Sequence, residues 1–133
     1  MKNMPEGTLV LVADGGNART FRSQGDGKTV KLEQKDVLTP QNVNDEGPSG
    51  SRPHEQTESQ TDEATFAKQL AHRLNDGALK NAYAHLVLVA DPQTLGQMRP
   101  QLHKETSQRL LFELAKTLTN ATLQDIEKAL APE

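Results

Sequence analysis

The chain has 133 residues, a formal net charge of −3 and no cysteine. That length suits one domain with an ordinary core. The charge excludes a protein that coats nucleic acid through bulk electrostatics, and the lack of Cys excludes disulfides and thiolate chemistry. With no Trp, one Tyr and three Phe, the core must be built from Leu, Val and Ala.

Mean hydropathy is −0.70, but the polar residues crowd into one segment. The N-terminal apolar run, Leu9 to Ala13, is shorter than a signal-peptide core (about 7–15 residues) or a membrane span (about 20). A soluble, cytoplasmic protein without membrane insertion is the expectation.

Thr8 to Ala13 reads as a first strand, buried on both faces because its apolar run is unbroken. Asp14-Gly15-Gly16-Asn17 follows as a tight turn, in which glycine, Asp and Asn favour positive φ. Ala18 to Arg22 alternates polar and apolar residues, as a half-buried strand does. Gln24 to Gly27 is a second turn. Thr29 to Leu38 is a third strand candidate, with Val30 and Leu32 on one face and Lys31 and Glu33 on the other. The N-terminal third is thus an antiparallel meander.

Residues 40–61 are rich in Pro, Gly, Asn, Gln, Ser, Thr and Glu, with Val43 as their lone aliphatic residue. Such a segment buries too little apolar surface to offset its ordering entropy. A mobile loop is expected.

Thr61 or Asp62 then caps a helix. Its apolar stripe is Phe66, Ala67, Leu70, Ala71 and Leu74, spaced by three and four. The helix could stop at Gly77. The preferred reading carries it through Leu79, which would extend the stripe, to a left-handed close at Asn81. A second unbroken apolar run, Leu86 to Ala90, sits in a strand spanning about 84 to 90. Asp91-Pro92 opens a short helix carrying Leu95 and Met98, and Pro100 limits its length. Leu110 to Lys116 fits both a strand and a helix, with propensity mildly favouring helix. Thr122-x-x-Asp125 resembles a capping box ahead of a terminal helix with Ile126, Ala129 and Leu130 on one side.

Chemistry is sparse. Gly15-Gly16 lacks the spacing of a nucleotide fingerprint and fits a hairpin turn. His54, His72, His85 and His103 show no metal-ligand spacing, and no cofactor is expected. Asp14 and Asp91 both follow buried strands, where α/β proteins place ligands, yet turn initiation and helix capping also account for them. Arg19, Arg22, Lys28 and Lys31, with Arg52 and Arg99, offer a basic face for RNA, without the interleaved aromatics of single-strand binders.

Several tracts, in this order, resemble the bacterial host-attachment protein family. They are Leu-Val-Leu-Val-Ala-Asp-Gly-Gly-Asn-Ala-Arg at 9–19, Phe-Ala-Lys-Gln-Leu-Ala-His-Arg-Leu-Asn at 66–75, Leu-Val-Leu-Val-Ala at 86–90 and Leu-Gly-Gln-Met-Arg at 95–99. That family is similar to the middle domain of archaeal and eukaryotic peptide-release factors. The resemblance implies a single α/β domain, a mixed five-stranded sheet with helices packed on it. It also implies a strand from Leu110 to Thr117, leading into Lys116-Thr117-Leu118-Thr119. Release factors of this kind carry a Gly-Gly-Gln tip whose Gln helps water attack the peptidyl-tRNA ester. Here the corresponding loop reads Gly47-Pro48-Ser49-Gly50-Ser51-Arg52-Pro53, and the chain contains no Gly-Gly-Gln.

The expected function is therefore non-enzymatic binding to ribosomes or tRNA-like partners. Two alternatives stand beside it: a small hydrolase using the turns near Asp14 and Asp91, and a protein-interaction factor for surface attachment without RNA. Candidate binding residues are Asp14, Gly15, Gly16, Asn17 and Arg19 in the first hairpin, Arg52 and His54 in the polar loop, and Asp91 and Arg99 around the short helix. Oligomeric state is not legible.

Overall fold

Leu9–Ala13 (β1) and Leu86–Ala90 (β4) lie side by side and parallel, so each apolar run is roofed on both faces. In the computed structural model, which describes residues 4–24, 30–40, 42–43 and 63–131, they are the inner pair of a five-stranded mixed sheet. Its order is β3-β2-β1-β4-β5. Ala18–Ser23 (β2) pairs antiparallel to β1, and Leu32–Leu38 (β3) antiparallel to β2, giving the expected meander. Leu110–Ala115 (β5) adds parallel to β4 at the far edge. The ambiguous Leu-rich run is thus a strand, since period two serves an edge position where Phe112 and Leu114 face one side and Glu113 the other.

Side-chain alternation sends each inner strand's residues to two cores. Leu11, Ala13, Leu86, Leu88 and Ala90 meet helix Glu63–Leu79 (α1) and helix Pro92–Met98 (α2). Val10, Val12, Val87 and Val89 meet Ile126 and Leu130 of the terminal helix Leu123–Leu130 (α4). Phe21 joins this second core and is fully buried.

Helix α1 runs through Gly77 and closes with Asn81 at φ +57°. The Ala82 N–H donates to Gly77 O and the Asn81 N–H to Ala78 O, satisfying carbonyls the helix would otherwise leave open. Leu79 does not extend the apolar stripe, however. It is 64% exposed, while Ala78 turns inward. A step of 100° per residue puts the last-turn Leu past the edge of the buried face.

The turn after β1 also departs from expectation. Among the described residues positive φ occurs at Gly7 (+88°) and Asn81, not at Gly15 or Gly16. The Asp14 carboxylate shapes the turn instead, accepting from the Gly16 and Asn17 N–H groups at 2.8 Å each.

Val43, the lone aliphatic residue of 40–61, is buried against the α1 core. Its N–H and that of Asn42 donate to Thr39 O, and Asn42 Oδ1 accepts from the Thr39 N–H. One aliphatic side chain and an Asn bracket suffice to anchor the start of that segment. The turn at 24–27 beyond Gln24, the polar segment from 44 and the cap at Thr61 or Asp62 lie outside the described residues.

Asp91 caps α2 as expected, accepting from the Thr94 N–H, with Pro92 at the first helical position. Arg99–Gln101 forms a single 3₁₀ turn containing Pro100. A short helix at Lys104–Arg109 (α3), with no counterpart in the sequence reading, leads straight into β5. Thr122 caps α4 by accepting from the Asp125 N–H.

Candidate functional site

The carboxyl ends of β1, β4 and β5 gather at one end of the sheet, where open α/β sheets commonly hold ligands. Asp14 follows β1, Asp91 follows β4, and the stretch 116–121 follows β5. The geometry there decides what these residues can do.

Asp14 Oδ1 serves the hairpin turn, and Oδ2 accepts from the Thr119 hydroxyl at 2.5 Å. Burial pushes its pKa up, but the hydrogen bonds from Thr119, Gly16 and Asn17 outweigh that and hold it below its ordinary value. Asp14 is therefore an ionised acceptor, the reverse of a general acid. Asp91 is equally engaged: Oδ2 takes the Thr94 N–H at 3.1 Å and Oδ1 the Thr94 hydroxyl at 2.7 Å.

Arg19 reaches the same corner from β2. Its Nη1 donates to the carbonyls of Thr119 and Ala121, at 3.1 and 2.8 Å. Nε and Nη2 both donate to Gln34 Oε1 on β3, and the guanidinium lies 5.1 Å from the centre of the Phe21 ring. Arg99 donates through Nε and Nη2 to Glu113 Oε1 on β5, and that bond and charge raise its pKa above the ordinary value.

The structure thus brings Asp14 and Arg19 together on the 119–121 stretch. Asp91 and Arg99 flank α2, each with its own partner. Arg52 and His54 lie outside the described residues. Among the described residues no group of three His, Asp or Glu side chains stands close enough to hold a metal ion. A cleft between α1 and the sheet, lined by Leu9, Leu11, Leu38 and Leu70, includes neither Asp14 nor Asp91.

The Ala-Asp-Gly-x-x-Ala-Arg tract and the Thr-Leu-Thr tract, about a hundred positions apart, are thus two halves of one hydrogen-bonded cluster. A family model for bacterial archaeo-eukaryotic release factor family 12 matches residues 7–130. The chain belongs to that family. No curated protein matches the family 12 chain.

Sequence reasoning missed Thr119 and Gln34 as partners at this corner, and Asn75 elsewhere. Thr119 carried a signal, because it closes the tract expected to follow β5. Gln34 carried none, since a Gln on an edge strand is ordinary. Asn75 also had a signal: a polar residue one step beyond Leu74, on the helix side that turns inward.

Proposed function

We propose that this family 12 protein is a non-enzymatic, cytoplasmic binding protein of the translation apparatus, acting on ribosomes or tRNA-like partners. The observation that carries this reading is the state of the strand-end carboxylates. Asp14 and Asp91 both accept hydrogen bonds from the chain's own N–H and O–H groups, so both are engaged in holding the corner together. The chain has no Gly-Gly-Gln to position a hydrolytic water. Kinship with release factors supplies the class of partner. Among the described residues no helix is long and apolar enough to cross a membrane.

In this reading Arg52 and His54, in the polar segment, supply contacts to RNA, while Arg19 and Arg99 hold the scaffold. The first hairpin, Asp14 to Asn17, presents a fixed surface. Any effect on attachment to host cells is then an indirect outcome of a role in translation.

Sedimentation of the protein with ribosomes across a salt series tests the proposal. Co-migration that weakens with salt, and weakens further in Arg52→Ala, is expected. Absence of co-migration at every salt concentration overturns it. Retention by a partner protein after nuclease treatment would favour surface attachment without RNA.

A further inference from the structure

Helix α1 packs on β1 and β4 and reaches β2 and β3 at Ala18 and Leu38, and among the described residues a cleft of about 530 Å³ lies between α1 and this face of β1, β2 and β3. Its volume falls within the roughly 300–1,000 Å³ of small-molecule sites. Leu9, Leu11 and Leu38 line it from the sheet and Leu70 and Leu74 from the helix, with Tyr83 beside them. The β2–β3 register shift falls at this place, between Thr20 and Phe21. It brings both Lys35 and Asp36 to the cleft.

The charges around this apolar space are not balanced. Among the described residues Arg22, Lys35, Arg73 and Lys80 face Asp36 and Asp76, four cations against two acids, on a chain whose net charge is −3. Lys80 pairs with Asp76 and Lys35 with Glu33, at 2.9 Å each. The two guanidiniums differ. Arg22 on β2 donates to the carbonyls of Gly7 and Ala82, both at 2.9 Å, and Arg73 on α1 donates to Val43 O at 3.0 Å. Carbonyls hold these side chains in place without cancelling their charge, and among the described residues neither has a carboxylate partner. A positioned guanidinium beside apolar walls suits a carboxylate or phosphate oxygen. Asp36 and Asp76 work against more than one negative head group.

We propose that this cleft binds a small amphipathic anion, an apolar body bearing one carboxylate or phosphate, with the body among the leucines and the head on Arg22 and Arg73. Neither Asp14 nor Asp91 lines this site, and the proposal stands apart from the translation reading.

The test is an NMR titration of the isotopically labelled full chain with octanoate, octyl phosphate and neutral 1-octanol. Saturable amide shifts confined to the cleft, around Leu38, Leu70 and Gly77, are expected for the anions, with octanol at least about tenfold weaker, as loss of a charge-assisted hydrogen bond implies. The tighter of the two anions identifies the head group. Arg73→Gln should weaken both anions about tenfold and leave octanol unchanged. Ala82→Trp, at an exposed lip residue of the cleft, should weaken all three. Anion shifts absent from the cleft, or octanol binding as tightly as the anions, overturns the proposal. That comparison needs no variant, so it stands even if Arg73→Gln does not fold.

Discussion

Asn75 offers the sharpest test of how this fold is held together. It lies on α1, is 3% exposed, and its side chain makes three hydrogen bonds to the segment before β5. Nδ2 donates to Gln101 O at 2.9 Å, while Oδ1 accepts from the His103 N–H at 2.8 Å and the Thr106 hydroxyl at 2.7 Å. In Asn75→Ala, Gln101 and His103 sit on partly exposed residues and can turn to water, so each lost bond costs about 0.5–1 kcal/mol. Thr106 is fully buried. Its orphaned hydroxyl costs about 1–3 kcal/mol. The expected total is about 2–5 kcal/mol, a large share of the roughly 5–15 kcal/mol that holds a typical domain. Urea unfolding followed by circular dichroism measures it, since the chain has no Trp to report by fluorescence. Thr106→Val in the Asn75→Ala background removes the orphan. The double variant should then be less destabilised than the sum of the singles by about 1 kcal/mol. A loss under about 0.5 kcal/mol for Asn75→Ala, or a strictly additive pair, would refute the idea that this Asn organises α3.

Three further outcomes follow from the same contacts. Asp14 has a folded pKa below its unfolded value, so its contribution is complete above the ordinary carboxylate range and is lost as pH falls through the folded pKa. Wild type should lose stability relative to Asp14→Asn in acid melts below about pH 4, and parallel curves would contradict this. Gly77→Ala gains about 1 kcal/mol of helix propensity, but the new Cβ meets Tyr83 Cε2 at 3.0 Å. The Tyr83 ring is pinned by its hydroxyl on Leu74 O and by Arg109 against its face, so the variant should melt lower than wild type. Leu79→Gln should change stability by less than about 0.5 kcal/mol, whereas Leu74→Ala should cost about 2–5 kcal/mol. Equal losses in urea melts would show that the end of α1 is packed differently.

Where a pattern was carried by apolar residues, it could be read from the chain. The two Leu-Val-Leu-Val-Ala runs announced the inner strands, because only a doubly roofed strand tolerates five such residues in a row. Asn81 disclosed the close of α1 through its tolerance of left-handed backbone. Polar organisation was less legible. The α3 tract, Lys104-Glu105-Thr106-Ser107-Gln108-Arg109, has no apolar stripe, and its one buried residue is a Thr satisfied by a side chain 31 positions earlier. Turn chemistry misled at Gly15-Gly16, since a carboxylate did what positive φ was expected to do. At the strand ends Asp14 and Asp91 were legible as turn former and cap. The joining of Asp14 and Arg19 through Thr119 was not, because it spans about a hundred residues. The cleft depends on how α1 sits against three strands, which no local pattern encodes.

The anchoring of residues 119–121 by Asp14 and Arg19 bears on how the molecule is born. The first hairpin emerges from synthesis with Val10, Val12 and Phe21 uncovered on one side. Their cover, Ile126 and Leu130, is made about a hundred residues later. Until then half of the sheet has no roof, and closing it needs contacts between residues about a hundred positions apart, which form slowly. That half of the sheet therefore matures only after α4 is free to fold back, and loss of α4 would leave a sticky, unfinished sheet.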